Sequence, residues 1–155
     1  MAKDAVTIRV QSEDFDPGVE TQRLHEADPT VGAVATFLGL VRAHPQEDGA
    51  VTTMTLEHYP GMTEKALAAI VDEARRRWPL TAVTVIHRVG PLAVGDRIVF
   101  VGCASSHRAA AFAACEFLMD YLKTRAPFWK KETTASGETR WVEARASDEE
   151  RALRW

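Results

Sequence analysis

The order of hydrophobic periodicities along the chain limits the folds that are open to it. Apolar residues recur at helical spacing from Thr63 to a stop at Trp78-Pro79, and again from about His107 to Thr124. Two strand-like runs, residues 82–89 and 97–104, lie between these helices. The order strand, helix, strand, strand, helix, strand is typical of a split βαβ sandwich, so we expect an α+β fold. The second helix should bury a face with Phe112, Cys115, Met119 and Leu122.

Further elements are expected before and after that unit. Asp16-Pro17 offers a helix cap and a proline at the first helical position, which predicts a short helix to about His25. Residues 43–49 contain proline, acid and glycine and indicate an exposed, mobile loop. Another short helix should begin in the acidic segment 147–150. The remaining expected strands are residues 6–10, 31–41, 52–58, 128–133 and 139–144.

The size and composition of the chain are those of one globular domain. Its 155 residues are 46% hydrophobic and 26% charged, so we expect a single domain over residues 1–155. The net charge of −3 provides no overall cationic field for nucleic acid or an anionic membrane, so an anion site must be local. The sequence contains neither a bilayer-spanning apolar run nor a secretory signal, and we therefore expect a cytoplasmic protein.

Common catalytic and metal-binding motifs do not occur in this sequence. It contains no Ser-His-Asp order, P-loop, GxGxxG or HExxH motif. Its two cysteines, Cys103 and Cys115, are spaced neither as CxxC nor as a zinc pattern, which supports neither a disulfide framework nor a metal site. We expect both cysteines to be small core residues.

A polar segment at the start of the second helix offers an anion site. Ser105 to Arg108 lies where a strand gives way to a helix, so free N–H groups, the helix dipole and a guanidinium can converge there on a phosphate. The alternative is that Ser105 or Ser106 caps the helix while His107 and Arg108 are solvated. These residues alone leave both interpretations open.

A cluster of cations follows the second helix. Lys123, Arg125, Lys130 and Lys131 surround a proline and two aromatic residues. Cations favour a helix C-terminus for electrostatic reasons alone, so Lys123 has a structural interpretation. The functional interpretation is that a lysine desolvated by bulky apolar groups serves proton transfer or holds a carboxylate-like group. Lys123 and Lys130 are the candidates for that role.

Single residues in the strands are weaker candidates. Arg42 ends an apolar strand beside the loop, where simple exposure and anion binding both fit. His58 and His87 lie within or at the ends of strands, and we expect both to be structural. Phe37 is expected in the core rather than against a ligand, unless the pocket adjoins it.

Five motifs occur in a distinctive order along the chain. The longest is MDYLKTRAPFWKKE at residues 119–132. The others are LEHYPGM at 56–62, VIHRVG at 85–90, SHR at 106–108 and WVEAR at 141–145. Together they resemble the molybdopterin synthase large-subunit family, and the match extends from about Val31 to Trp155.

The resemblance implies a dimeric α/β-hammerhead protein with additional β-strands. Such a protein receives the C-terminal tail of a small ubiquitin-like sulfur-carrier subunit, charged as a glycine thiocarboxylate. Two carriers on a central homodimer make a heterotetramer. Sulfur is transferred in two rounds to cyclic pyranopterin monophosphate, which opens the cyclic phosphate and yields the dithiolene of molybdopterin for the molybdenum cofactor. The resemblance implies no metal and no cofactor in this subunit.

The resemblance also implies roles for individual residues. By position, Lys123 and Lys130 match the family's catalytic lysines. Some relatives carry lysine at the position of Leu40, so there only a backbone contact is expected. The positions that match pterin and phosphate contacts, through side chain or backbone, are Leu40, Val41, Arg42, His107, Arg108, Lys131, Glu132 and Arg145.

The implied chemistry explains why cations are needed. Attack by a thiocarboxylate sulfur, expulsion of a phosphate oxygen and release of the carrier carboxylate all develop negative charge, which fixed cations stabilise. We assign Lys123 to the thiocarboxylate and the proton transfers, and Lys130 to the pterin-phosphate side. Neither cysteine is required, because the sulfur arrives on the carrier.

Helix geometry adds a constraint to these assignments. An unbroken helix from His107 to Lys123 would place Arg108 and Lys123 about 22 Å apart, at ~1.5 Å per residue. One small substrate cannot contact residues at both ends of this helix. A symmetric dimer resolves the conflict if His107 and Arg108 of one protomer face Lys123 and Lys130 of the other.

The competing hypothesis is a non-catalytic α+β module. It would use its basic edges to bind a nucleotide, RNA or the acidic tail of a partner. The chain lacks an aromatic-rich RNA-reading strand and a basic overall charge, which argues against this alternative.

Overall fold

The structure is a computed structural model that describes residues 5–26, 28–43, 51–142 and 146–155. Nearly all of the loop expected at 43–49 lies outside this part of the chain. The strands are β1 (Ala5–Gln11), β2 (Ala33–Leu40), β3 (Val51–His58), β4 (Ala82–Arg88), β5 (Gly90–Ala93), β6 (Arg97–Ser105), β7 (Phe128–Thr134) and β8 (Thr139–Val142). The helices are α1 (Pro17–Arg23), α2 (Met62–Arg77), α3 (Arg108–Arg125) and α4 (Ala146–Leu153).

The first sheet has the strand order β1-β4-β6-β2. β1 is parallel to β4, whereas β6 is antiparallel to both β4 and β2. Side chains alternate across β4, so Val83 and Val85 face the core formed with α2 and α3. Ala82 and Ile86 point to the opposite face, where they pack near Phe15. Burial on both faces explains why β4 and β6 are almost continuously apolar.

The second sheet has the order β5-β3-β7-β8 and is antiparallel throughout. Its residues Met54, Leu56 and Leu92 pack with Val41 in a separate apolar cluster. Ile98 of β6 packs against both this cluster and the main core. The two sheets therefore meet near Ile98, and the space beside this junction forms the candidate site described below.

The α+β prediction is confirmed, and all six predicted elements occur in the predicted order. They do not form a single split βαβ sheet, because β3 and β7 pair in the second sheet whereas β4 and β6 pair in the first. The sequence did not predict β5, because Gly90-Pro91 has the composition of a turn. β5 pairs with β3 at the edge of the second sheet, with Pro91 opposite Thr55. An edge strand tolerates proline, since one side of it needs no N–H donor.

Helix α3 is continuous as predicted, and Cys115 and Leu122 are buried as expected, but the other two residues of the predicted face are not. Met119 is only partly buried, and Phe112 is 65% exposed. The prediction was wrong at Phe112 because α3 is apolar around most of its circumference. The helix turns the side with the small residues Ala111 and Ala114 into the core, where short side chains permit close packing.

Helix α4 docks on α3 through Asp120. This buried carboxylate accepts hydrogen bonds from Arg154 Nη2 at 2.9 Å and from Trp155 Nε1 at 2.6 Å. The Trp155 ring also contacts Trp78 and Phe117 edge to face. These contacts fix α4 beside the end of α3. Among the described residues, no helix is long and apolar enough to cross a membrane.

Candidate active site

A pocket of about 570 Å³ lies between the two sheets, at the C-terminal end of α3. Six strands and both α3 and α4 contribute to its wall. The charged side chains that line it are Arg42, Lys123, Lys130 and Asp148. Within the described residues the pocket thus has three cationic side chains and one carboxylate, although the whole chain has a net charge of −3. This excess of positive charge makes the pocket a candidate for the local anion site expected from the sequence.

Lys123 and Lys130 reach this pocket from consecutive elements. Lys123 is exposed in the last turn of α3, and Lys130 is partly buried in β7. The helix ends at Arg125, because Ala126 precedes Pro127 and adopts extended backbone with φ −87° and ψ 133°. The chain enters β7 directly afterwards, so this short connection brings the two lysines to one pocket.

The next two residues of β7 lie elsewhere. Lys131 points to the other face of the sheet, where its Nζ lies 5.6 Å from the centre of the Trp141 ring. Glu132 is buried and forms an ion pair with Arg140 at 3.4 Å. Neither residue lines the pocket within the described part of this protomer.

The end of β2 contributes Leu40 to the pocket, and the segment after it contributes Arg42 but not Val41. A register irregularity between Gly39 and Leu40 ends the regular pairing with β6. Val41 is 1% exposed. Its backbone N–H donates to Asp96 O, and its C=O accepts a hydrogen bond from Gly95 N. Val41 is therefore an anchor that directs its two neighbours into the pocket.

His107 and Arg108 lie at the far end of α3 from the pocket. Both are exposed, and neither lines the pocket in this protomer. Arg108 and Lys123 are separated by about 22 Å along the axis, at ~1.5 Å per residue. Ser105 does not cap the helix, since its hydroxyl donates to Pro79 O at 2.8 Å and His107 occupies the cap position. Arg145 lies outside the described residues.

Two residues that the sequence assigned to structure also line the pocket. Phe37 is 41% exposed there, because β2 is an edge strand. The pocket adjoins Phe37, so the expected core position does not hold. His87 is 5% exposed and stacks on Phe128 with ring centres 3.8 Å apart. Burial, together with the charges of Lys123 and Lys130, lowers its pKa to about 4. The sequence feature that could have marked His87 as a pocket residue was a histidine in a strand of valines and isoleucine.

The cysteines are core residues, as predicted. Cys103 and Cys115 are 0% and 7% exposed, and neither lines the pocket. The neighbouring Cys115 thiol and burial raise the pKa of Cys103. No group of three or more potential His, Cys, Asp or Glu metal ligands occurs in the described part of the chain.

Comparison with known proteins identifies the family. The MoaE protein family model matches residues 10–125. The molybdopterin synthase catalytic subunit of Escherichia coli K12 is 62% identical over 155 residues, which is 100% of both chains. That of Pseudomonas aeruginosa is 59% identical over 151 residues, 97% of this chain and 99% of the relative.

A solved structure supports the same assignment. The molybdopterin biosynthesis MoaE protein from Burkholderia ambifaria has 54% sequence identity and a TM-score of 0.81, with 97% of each chain covered. Sequence and fold thus agree over nearly the whole chain. This protein belongs to the MoaE family, which is the molybdopterin synthase large-subunit family that its motifs resemble.

Proposed function

We propose that this chain is the catalytic subunit of a molybdopterin synthase and acts as a sulfurtransferase in the cytoplasm. It transfers sulfur from a small, thiocarboxylated carrier subunit to cyclic pyranopterin monophosphate and so forms the dithiolene of molybdopterin. Family membership supports this function. The observation that carries it is the pocket in which Lys123 and Lys130 converge from α3 and β7.

The pocket has the charge that this chemistry requires. The thiocarboxylate, the phosphate oxygen that is expelled and the carboxylate released from the carrier are all anionic. The backbones of Lys123 and Lys130 are held at the end of a helix and in a paired strand, so both cations are available in the pocket to stabilise these anions. We assign Lys123 to the thiocarboxylate and the proton transfers, and Lys130 to the pterin-phosphate side.

Within the described residues, the remaining substrate contacts divide into three groups, and Arg145 lies outside them. Leu40 and Arg42 line the same pocket as the two lysines, which supports contact with the same substrate. His107 and Arg108 lie too far along α3, and we propose that a symmetric homodimer supplies them from the other protomer. The pocket is not lined by Val41, Lys131 or Glu132. A substrate contact through any of these residues therefore requires that its backbone makes the contact, that the site rearranges, or that another subunit provides the substrate surface.

Reconstitution tests the proposed function. The chain is incubated with cyclic pyranopterin monophosphate and a thiocarboxylated carrier, and molybdopterin formation is measured. The same carrier with an ordinary carboxylate terminus is the control for the sulfur source. Product with the first carrier alone supports the proposal, and no product from the folded, dimeric chain rejects it.

A variant pair then tests the site. Lys123→Ala should lower turnover by about a hundredfold or more, because it removes a positioned cation. Lys65→Ala is the matched control, since Lys65 is exposed on α2 and does not line the pocket. Equal turnover by the two variants at saturating carrier would show that the pocket is not where sulfur is transferred.

A further inference from the structure

His87 is a buried polar side chain in the pocket wall that the proposed chemistry does not use. It follows Val83 and Val85 on the face of β4 that supports α3, just beyond the point where the helix ends. Its ring is held by the Phe128 stack and by a 2.8 Å contact between Nδ1 and the Arg88 carbonyl oxygen. The ring orientation is therefore fixed from two sides.

The contact with Arg88 determines where the ring proton lies. A carbonyl oxygen can only accept a hydrogen bond, so Nδ1 must carry the proton. The ring is neutral at physiological pH, because its burial lowers the pKa to about 4. Nε2 consequently has a free lone pair and is an acceptor. Within the described residues, the hydrogen bond of the ring is the one at Nδ1, and Nε2 accepts none.

Two lysines share the pocket with the His87 ring. Lys123 from α3, Lys130 from β7 and His58 from β3 act electrostatically on the ring, and among these Lys123 has the largest effect. Arg42 and Asp148 complete the charged lining of the pocket. Nε2 is an acceptor in the wall of a pocket that ammonium groups also line, and a hydrogen bond between an ammonium group and Nε2 would satisfy both partners.

We propose that His87 is a positioning residue for sulfur transfer, whose Nε2 accepts a hydrogen bond from the Lys123 ammonium group and holds that cation in the pocket. The helix that carries Lys123 packs on the sheet that contains His87, whereas Lys130 belongs to the other sheet. Lys123 is exposed and ends in a long flexible chain, so a fixed acceptor restricts the positions of its charge. The inference rests on the proposed function, because it acts through Lys123.

Two substitutions separate positioning from a merely structural role. His87→Gln places an amide oxygen near the position of Nε2, whereas His87→Asn keeps a polar atom near Nδ1 only. If His87 positions Lys123, the Asn variant loses about tenfold or more in kcat with a small change in KM, and the Gln variant recovers most of that loss. If His87 only holds the Arg88 carbonyl, the Asn variant is the more active one.

The same assay includes Lys123→Ala, so that the two proposals fail in distinguishable ways. Full activity of Lys123→Ala rejects the site under the proposed function and the role of His87 with it. A large loss in Lys123→Ala, together with equal kcat in the Gln and Asn variants or a higher kcat in Asn, rejects only the role of His87.

A measurement on the unaltered dimer avoids the risk that a His87 variant fails to fold. Nitrogen NMR of the histidine rings at neutral pH should show His87 protonated at Nδ1 and unprotonated at Nε2. The Nε2 resonance should move toward that of a free acceptor in Lys123→Ala, but not in Lys65→Ala. Protonation at Nε2, or the same resonance in all three proteins, overturns the proposal.

Discussion

Lys130 and Lys131 are neighbours in β7 but lie on opposite faces of its sheet. Lys130 lines the pocket, whereas Lys131 Nζ lies 5.6 Å from the centre of the Trp141 ring on the other side. Adjacent residues of a strand point in opposite directions, so one protomer cannot present both ammonium groups to one small substrate.

This relationship predicts unequal effects of two alanine substitutions on kcat. Lys130→Ala should lower kcat by about a hundredfold or more, because it removes a cation from the pocket. Lys131→Ala should change kcat much less in the same reconstituted assay, since the surface contact with Trp141 is worth only about 0.5–1 kcal/mol. An equally severe loss in folded Lys131→Ala would show that Lys131 reaches the substrate in the assembled enzyme.

The separation of Arg108 and Lys123 predicts complementation between inactive proteins. An Arg108→Ala protein mixed with a Lys123→Ala protein, under conditions that exchange subunits, should recover activity through heterodimers with one intact site. Random exchange gives half heterodimers, each with one of two sites intact, so about a quarter of the wild-type activity is expected.

A second mixture controls for nonspecific recovery. Lys123→Ala and Lys130→Ala alter the same end of the site, so their heterodimer contains no intact site and should stay inactive. Exchange is verified by mass spectrometry of differently tagged protomers. No recovery in the first mixture despite exchange would place Arg108 and Lys123 in sites that are not shared.

The burial of Cys103 and Cys115 predicts a change in stability without a change in chemistry. Replacing both with alanine should lower the free energy of unfolding by roughly 1–3 kcal/mol, because both side chains pack in the core. Denaturant unfolding measures that cost. Turnover per folded dimer should equal that of the wild type, and a large deficit there would instead indicate a thiol in the mechanism.

The pocket between the sheets predicts that the carrier inserts an extended tail. A glycine-rich terminus can pass where bulkier residues cannot. A carrier shortened by two residues should therefore bind but fail to transfer sulfur, because its thiocarboxylate no longer reaches Lys123. Product formation is compared at equal thiocarboxylation of both carriers. Normal transfer by the short carrier would contradict insertion of the tail.

The sequence by itself determined most of the local structure. Helical spacing predicted α2 and α3. Asp16-Pro17 predicted the cap of α1, and the Asp16 carboxylate accepts hydrogen bonds from Gly18 N and Val19 N. These features depend on contacts between near neighbours in the chain, so a sequence pattern can reveal them. The long motif at residues 119–132 likewise indicated the family, and it made Lys123 and Lys130 the candidate catalytic residues.

Only the tertiary structure decided which of these residues meet. The docking of α3 on the first sheet brings Lys123 to the same pocket as His87, although 36 residues separate them in the sequence. The same packing leaves Phe112 exposed and turns Lys131 away from the pocket. Periodicity specifies which side of an element is apolar, but the partners of that side depend on contacts between distant segments, which form only when the whole chain is packed.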